Sequence, residues 1–251
     1  MVKSLRTLIP LVALVCLPLA RPAAAFPGPQ GGAGTFDGRL QAQVEKELDK
    51  KGFRTITVAV SDGVVTLTGE VQHLYGRTQA VTIAGKVKDV KSVVDQLAFE
   101  TGISDVSVAE GVAREVRSYP RFGVFDDISV RARNGSVELM GAVTDPSKAR
   151  DIEQRIMRVP GVHEVKSSIV VLATSPGDDQ IRYLTANRLY GDPMFEQYAS
   201  MSNPPIHIIV DRGHVTLTGA VGTQMEKQKA EMIARGVFGV FSVTNRLFVE
   251  R

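Results

Sequence analysis

The side chains able to do chemistry are few, and their spacing suits little of it. The four histidines are His73, His163, His207 and His214, and no two form a short metal-binding pair of the His-Glu-x-x-His kind. His207 and His214 flank one tight turn, where opposite parity could bring the rings together, but no third nitrogen, sulfur or carboxylate follows at metal spacing. They are read as strand-surface residues, and no metal site is expected. The acid pairs Asp126-Asp127 and Asp178-Asp179 have the look of a two-carboxylate site, yet each stands at the edge of an element, where turn or N-cap duty accounts for it. No nucleophile with a plausible base can be named, so no catalytic residue and no cofactor is expected. Residues 28–34 are glycine-rich, but no strand precedes them and no Lys-Ser or Lys-Thr follows, so they read as a flexible leader and not a phosphate loop.

Two groups of side chains suit binding instead. Lys148, Arg150, Arg155 and Arg158 lie on one expected helix and could face anionic headgroups. Asp151 and Glu153 interleave with them, so the plainer reading is a solvated face with its own ion pairs. Residues 190–205 gather Tyr190, Met194, Phe195, Tyr198 and Met201 in an irregular stretch. Aromatics and methionines of this kind suit a membrane interface or an adaptable protein-binding surface, and the plainer alternative is that they cap a hydrophobic core. Phe238 and Phe241 pose the same choice, with Phe241 assigned to the core. The candidate lipid- or partner-binding set is therefore Lys148, Arg150, Arg155, Arg158, Tyr190, Phe195, Tyr198, Met201 and Phe238.

The elements that must position these residues are written three times. Gly63–Gly69 (Gly-Val-Val-Thr-Leu-Thr-Gly), Gly135–Gly141 (Gly-Ser-Val-Glu-Leu-Met-Gly) and Gly213–Gly219 (Gly-His-Val-Thr-Leu-Thr-Gly) are near copies, and Val87, Val159 and Val237 follow at one common distance. A spacing of 72 and then 78 residues between Gly69, Gly141 and Gly219 is too long for a solenoid unit, so each copy should be a small domain with its own core. In the third copy Ile181, Leu184 and Leu189 have helical spacing, and Ile206, Ile208 and Val210 alternate as a strand. Asp211–His214 makes a hairpin turn, Val215 and Leu217 resume the alternation, Gln224–Arg235 is a second helix and Arg246–Val249 a last strand. Asp62-Gly63 and Asn134-Gly135 are hairpin dipeptides, because the turn needs positive φ. The fold class is therefore α+β, three tandem αββαβ two-layer sandwiches, in which one sheet face carries two helices and the other meets solvent, a sister repeat or a partner. Gly69, Gly141 and Gly219 are read as structural, permitting a bulge or close packing of the following helix.

Residues 1–25 combine Lys3 and Arg6, an apolar run and Ala23-Ala24-Ala25, which is the pattern of a secretory signal peptide. They hold three of the 30 basic residues and no acid, so their removal leaves a chain of zero net charge. The isoelectric point near 9.0 thus comes from the leader, which argues against nucleic acid as partner. The single cysteine, Cys16, also lies there, so the exported domains hold by packing without disulfides.

The third copy, from Asp178-Asp179-Gln180-Ile181 through Gly213–Val221 to Val237-Phe238-Gly239-Val240 and Asn245–Val249, resembles the BON domain, and the other two copies resemble it through Gly135–Val143, Val159–Val165 and their counterparts. Repeat 1 departs at Asp89, where the other copies have Gly161 and Gly239, so a strained or differently shaped turn is expected there. The resemblance implies exported, periplasmic bacterial proteins that bind without catalysis. Their implied partners are phospholipid surfaces or envelope proteins, in envelope maintenance, osmotic stress or chaperoning of outer-membrane proteins. The expected layout is a signal peptide at 1–25, a leader at 26–36 and BON domains at 37–100, 104–173 and 178–250.

Overall fold

The computed structural model describes residues 35–173 and 175–250. The expected signal peptide and the leader up to residue 34 lie outside the described residues. Among the described residues no helix is long and apolar enough to cross a membrane.

One order of elements recurs three times. Unit 1 has α1 (Phe36–Asp49), β1 (Thr57–Ser61), β2 (Val64–Val71), α2 (Leu74–Gly85) and β3 (Ser92–Phe99). Unit 2 has α3 (Asp105–Arg117), β4 (Asp127–Arg133), β5 (Ser136–Val143), α4 (Pro146–Ile156) and β6 (Glu164–Val171). Unit 3 has α5 (Pro176–Tyr190), a 3-10 turn (Pro193–Phe195), α6 (Glu196–Ala199), β7 (Ile206–Asp211), β8 (His214–Val221), α7 (Gln224–Arg235), β9 (Ser242–Asn245) and β10 (Phe248–Val249). The second strand is central in each sheet, antiparallel to the first and parallel to the last.

Local chemistry sets the helix starts. Thr35, Ser104 and Ser175 cap the first helix of each unit, their side-chain oxygens accepting from Gly38, Ser107 and Asp178 amides. His73, Asp145 and Thr223 cap the second helices, and Thr223 forms a capping box with Glu226. The period-two residues Val65 and Leu67, Val137 and Leu139, and Val215 and Leu217 are buried beneath the helices, giving each unit its own core. Each such side chain contributes roughly 1.5–3 kcal/mol by leaving water.

Two local expectations are corrected. The strand expected over Arg246–Val249 is interrupted: β9 and β10 follow β8 in one register, but between them Leu247 turns into the core. The side chain of Asn245 bridges this break, accepting from the Leu247 amide and donating to the Lys227 carbonyl of α7. Asp89 does not distort its turn. Its φ of 71° matches Gly161 at 83° and Gly239 at 88°, a region that Asp enters at modest cost.

Candidate functional site

Each unit is locked by an acid that the sequence does not advertise. In the hairpin turns Asp62 and Gly63, Asn134 and Gly135, and Arg212 and Gly213 all have positive φ, which turns their amides outward from the ladder. The first helix places a carboxylate under them. Asp37 accepts from the Asp62 and Gly63 amides at 2.9 and 3.1 Å, and buried Asp178 accepts from Arg212 and Gly213 at 2.9 and 2.8 Å. In unit 2 Asp105 holds Gly135 by one longer bond of 3.4 Å. The acid pair Asp178-Asp179 thus serves structure, with Asp179 paired to Arg182.

Gly69, Gly141 and Gly219 serve close approach. A β-carbon there would collide with the carbonyl oxygen of Thr55, Asp127 or Pro205, at or just before the incoming first strand, so the neighbour is that segment and not the following helix. Gly161 and Gly239 sit in the turn between second helix and last strand, and the surroundings of that turn differ between units 2 and 3.

In unit 2 this turn, Met157 to His163, is a docking surface occupied by unit 1. The first-turn amides of α2, which no carbonyl of their own helix can reach, donate outward: Leu74 to the Val162 oxygen and Tyr75 to the Met157 oxygen, both at 2.8 Å. The Gly161 amide donates back to the Gln72 oxygen at 2.9 Å. At Met157 a helix N-terminus thereby meets the C-terminal carbonyl of another helix, an arrangement the two helix dipoles favour. The Leu74 side chain packs on the unit 2 core, the Arg158 guanidinium lies 4.3 Å over the Tyr75 ring, and Phe99 stacks on His163 at 4.1 Å.

Units 2 and 3 meet differently. The loop from Tyr119 to Asp126 reaches the open edge of β7, where the Ile208 amide donates to the Val124 oxygen at 2.7 Å. His207 pairs with the Gly123 oxygen and packs near Phe122, while Phe125 joins the unit 3 core. Buried Asp126 anchors the loop, accepting from the Gly123 and Thr144 amides and from Lys148 at 2.7 Å.

These contacts redistribute the expected binding residues. Lys148 is corrected from a headgroup ligand to the part-buried counter-ion of Asp126. Arg155 pairs with Glu115 at 2.8 Å, and Arg158 covers Tyr75, so the partners lie on other elements and not at Asp151 or Glu153. Arg150 is exposed. Tyr190, Phe195 and Tyr198 are likewise corrected from a partner surface to core: Phe195 is 0% exposed, the Tyr190 hydroxyl donates to the Ile206 oxygen, and the Tyr198 hydroxyl donates to Glu226 and accepts from Gly222. Burial pushes both tyrosines above their ordinary pKa. Met201 is exposed.

Phe238 is 85% exposed, and Phe241, expected in the core, is 79% exposed. Both stand in the unit 3 turn, beside a shallow groove of about 410 Å³ shared with Ile181, Arg212 and Gly239. The sequence did hold a signal for Phe241, because its counterparts are Lys91 and His163, two polar residues. His207 and His214 do not converge. His207 pairs with Thr218 and His214 with Asp211, which places them four ladder steps apart. Among the described residues no group of three His, Cys, Asp or Glu could hold a metal ion.

Three αββαβ units in tandem, joined by their own backbone, define a modular repeat protein. The BON domain model matches residues 36–101, 104–173 and 195–251, and the chain belongs to the BON domain family. The third match begins after α5, although α5 bears Asp178, which holds the hairpin as α1 and α3 hold theirs. An uncharacterized protein in the gshII 5′ region of Anaplasma centrale is 29% identical over 140 residues, 53% of this chain and 93% of that protein. Among solved structures, the C-terminal domain of CdsD, a structural protein of the type III secretion system of Chlamydia trachomatis, is 14% identical with a TM-score of 0.25, covering 84% of this chain and 96% of that one. The periplasmic domain of the inner membrane protein PrgH from S. typhimurium is 10% identical with a TM-score of 0.21, covering 84% and 100%.

Proposed function

We propose that this chain is an exported, non-catalytic binding protein of the bacterial envelope that docks other polypeptides through the turn after α7. The observation that carries this reading is internal to the molecule. The same turn in unit 2 already works as a docking surface, closed by three backbone hydrogen bonds and Leu74, whereas in unit 3 it is open and bears Phe238 and Phe241. Exposed aromatics at a polar-rimmed turn are the anchors that protein interfaces favour. The signal-peptide pattern of residues 1–25 and the BON family support export to the periplasm.

A second reading, attachment to phospholipid in envelope maintenance or osmotic stress, rests on the same two rings. With Arg212 beside them they suit the boundary between headgroups and acyl chains. The expected helix cations support it less, since Lys148 and Arg155 are already paired.

The test is suppression of aggregation of an unfolded outer-membrane protein by the chain and by its Phe238→Ser/Phe241→Ser variant. Suppression by the wild type that the variant loses is the expected result. Flotation with anionic and neutral vesicles runs in parallel, and flotation that the same variant abolishes would transfer the function to lipid. Equal behaviour of variant and wild type in both assays would overturn the site.

A further inference from the structure

The joint between units 1 and 2 has two halves, and the triplicate chain carries three versions of each. The first half is the corner between middle strand and second helix: Gln72–Tyr75, Thr144–Ser147 and Gly222–Met225. The other half is the turn after the second helix: 85–91, 157–163 and 235–241. One corner and one turn are consumed in the joint itself. Of the four halves left, two are unfit for a second joint. The unit 2 corner begins its helix with Pro146, which has no amide to donate, and Asp145 beside it is engaged by Arg121. The unit 1 turn carries Lys86, Lys88, Asp89 and Lys91, four charges whose burial would cost more than the joint returns.

Unit 3 keeps both halves open. Gly222 to Met225 are all exposed, and Gln224 and Met225 are first-turn residues of α7, so their amides face outward as those of Leu74 and Tyr75 do. The exposed apolar side chains fall at or beside the positions that the internal joint buries. Met225, 68% exposed, stands where Tyr75 does. Val249, half-buried as Phe99 is, stands at the position of Phe99, and Phe241 is the counterpart of His163. A corner that exposes Met225, with Gln224 at the position of Leu74, and an aromatic turn therefore lie at opposite ends of one helix.

We propose that the occupant of the unit 3 turn is the unit 3 corner of a second copy of this chain, docked as unit 1 docks on unit 2. The Gln224 amide then donates to the Val240 oxygen, the Met225 amide to the Arg235 oxygen, and the Gly239 amide to the Gly222 oxygen, each across copies. Met225 and Val249 of one copy cover Phe238 and Phe241 of the other. Because corner and turn are different surfaces, the contact is heterologous and head-to-tail, and each copy added leaves one corner and one turn free. The inference rests on the reading of this turn as a polypeptide-docking surface and names its partner.

Sedimentation velocity of the full chain over a concentration series up to millimolar tests it. The expected result is a weight-average mass that climbs without a plateau. Phe241→Glu disables the turn and leaves the corner, while Gln224→Pro/Met225→Glu disables the corner in the manner of Pro146 and leaves the turn. Each variant alone should associate at least roughly tenfold more weakly, the factor that 1.4 kcal/mol represents. Mixed, they should form a one-to-one complex and nothing larger, because one intact corner meets one intact turn. Unchanged thermal unfolding of both variants shows that folding is not the cause. A wild type that stays monomeric, or a mixture that forms no complex, overturns the proposal. If Phe238 and Phe241 still govern binding of unfolded polypeptide in that event, only the self-docking is wrong; if they govern neither, the function proposed for the turn falls with it.

Discussion

The two joints of this chain solve the same problem by opposite means. Between units 1 and 2 a helix start is set against a helix end, so both elements contribute orphan backbone groups and the contact is made by main chain, with Leu74 as its plug. Between units 2 and 3 a loop is laid against a sheet edge, and its position depends on a buried ion pair, Asp126 with Lys148, behind it. The first joint uses a surface that every unit possesses in some form. The second uses a loop that only unit 2 has, and it covers the edge of β7 that would otherwise invite foreign strands. Tandem copies of one fold are thus joined by surfaces that are not copies, which leaves the turn of unit 3 open while the turn of unit 2 is closed.

The largest expected effect falls on the second joint. Lys148→Ala leaves the Asp126 carboxylate buried without its counter-charge, a loss of about 3–5 kcal/mol, and the loop should detach from β7 as the unit loosens. Urea unfolding with small-angle scattering would register both, and a change confined to unit 2 stability would show that the loop stands without its anchor. Leu74→Pro breaks the first joint while sparing α2, because proline is tolerated at a helix start. Losing one partly buried leucine and one backbone bond should weaken that joint by roughly 1–3 kcal/mol, seen as faster amide exchange at Gly161 and Tyr75. Should the exchange rates stay put, the joint rests on something other than these groups.

Smaller effects sharpen the contrast. Asp178→Ala removes two short bonds from a buried carboxylate and should cost unit 3 roughly 1–3 kcal/mol, whereas Asp105→Ala removes one long bond and should cost less. Equal losses in denaturant melts would deny the acid its role. High pH should also separate the joints. Burial raises the pKa of Tyr190, so its contribution to folding is complete below the usual tyrosine value of about 10 and is lost as pH climbs through the raised folded-state value. Its hydroxyl bonds Ile206 at the start of β7, so contacts on β7 should loosen in alkali before those at Leu74, as paired amide or fluorescence probes would show. Phe238→Ser should change stability by under about 0.5 kcal/mol, since the ring is exposed; a larger loss would mean that the turn needs the ring for folding.

Much of this was legible residue by residue. The alternation around Val65 and Leu67, the hairpin dipeptides Asp62-Gly63 and Asn134-Gly135 and the thrice-repeated glycines specify units, order and turns, because they act through local φ, ψ and a period of two. The binding residues were less legible. Lys148 and Arg155 look like a basic face in sequence because their partners, Asp126 and Glu115, are 22 and 40 positions away and come near only when α4 packs on the loop and on α3. Phe195 and Tyr198 look like an adaptable loop because the cavity they fill is formed by α5, β7 and α7 together.

The sequence by itself determined three αββαβ units, their hairpins and their separate cores, since each depends on short-range periodicity and on glycine. Only the tertiary structure decided that Leu74 closes one turn while Phe238 and Phe241 leave its counterpart bare. Exposure is a property of what packs against a residue, and here the packing partner is another unit.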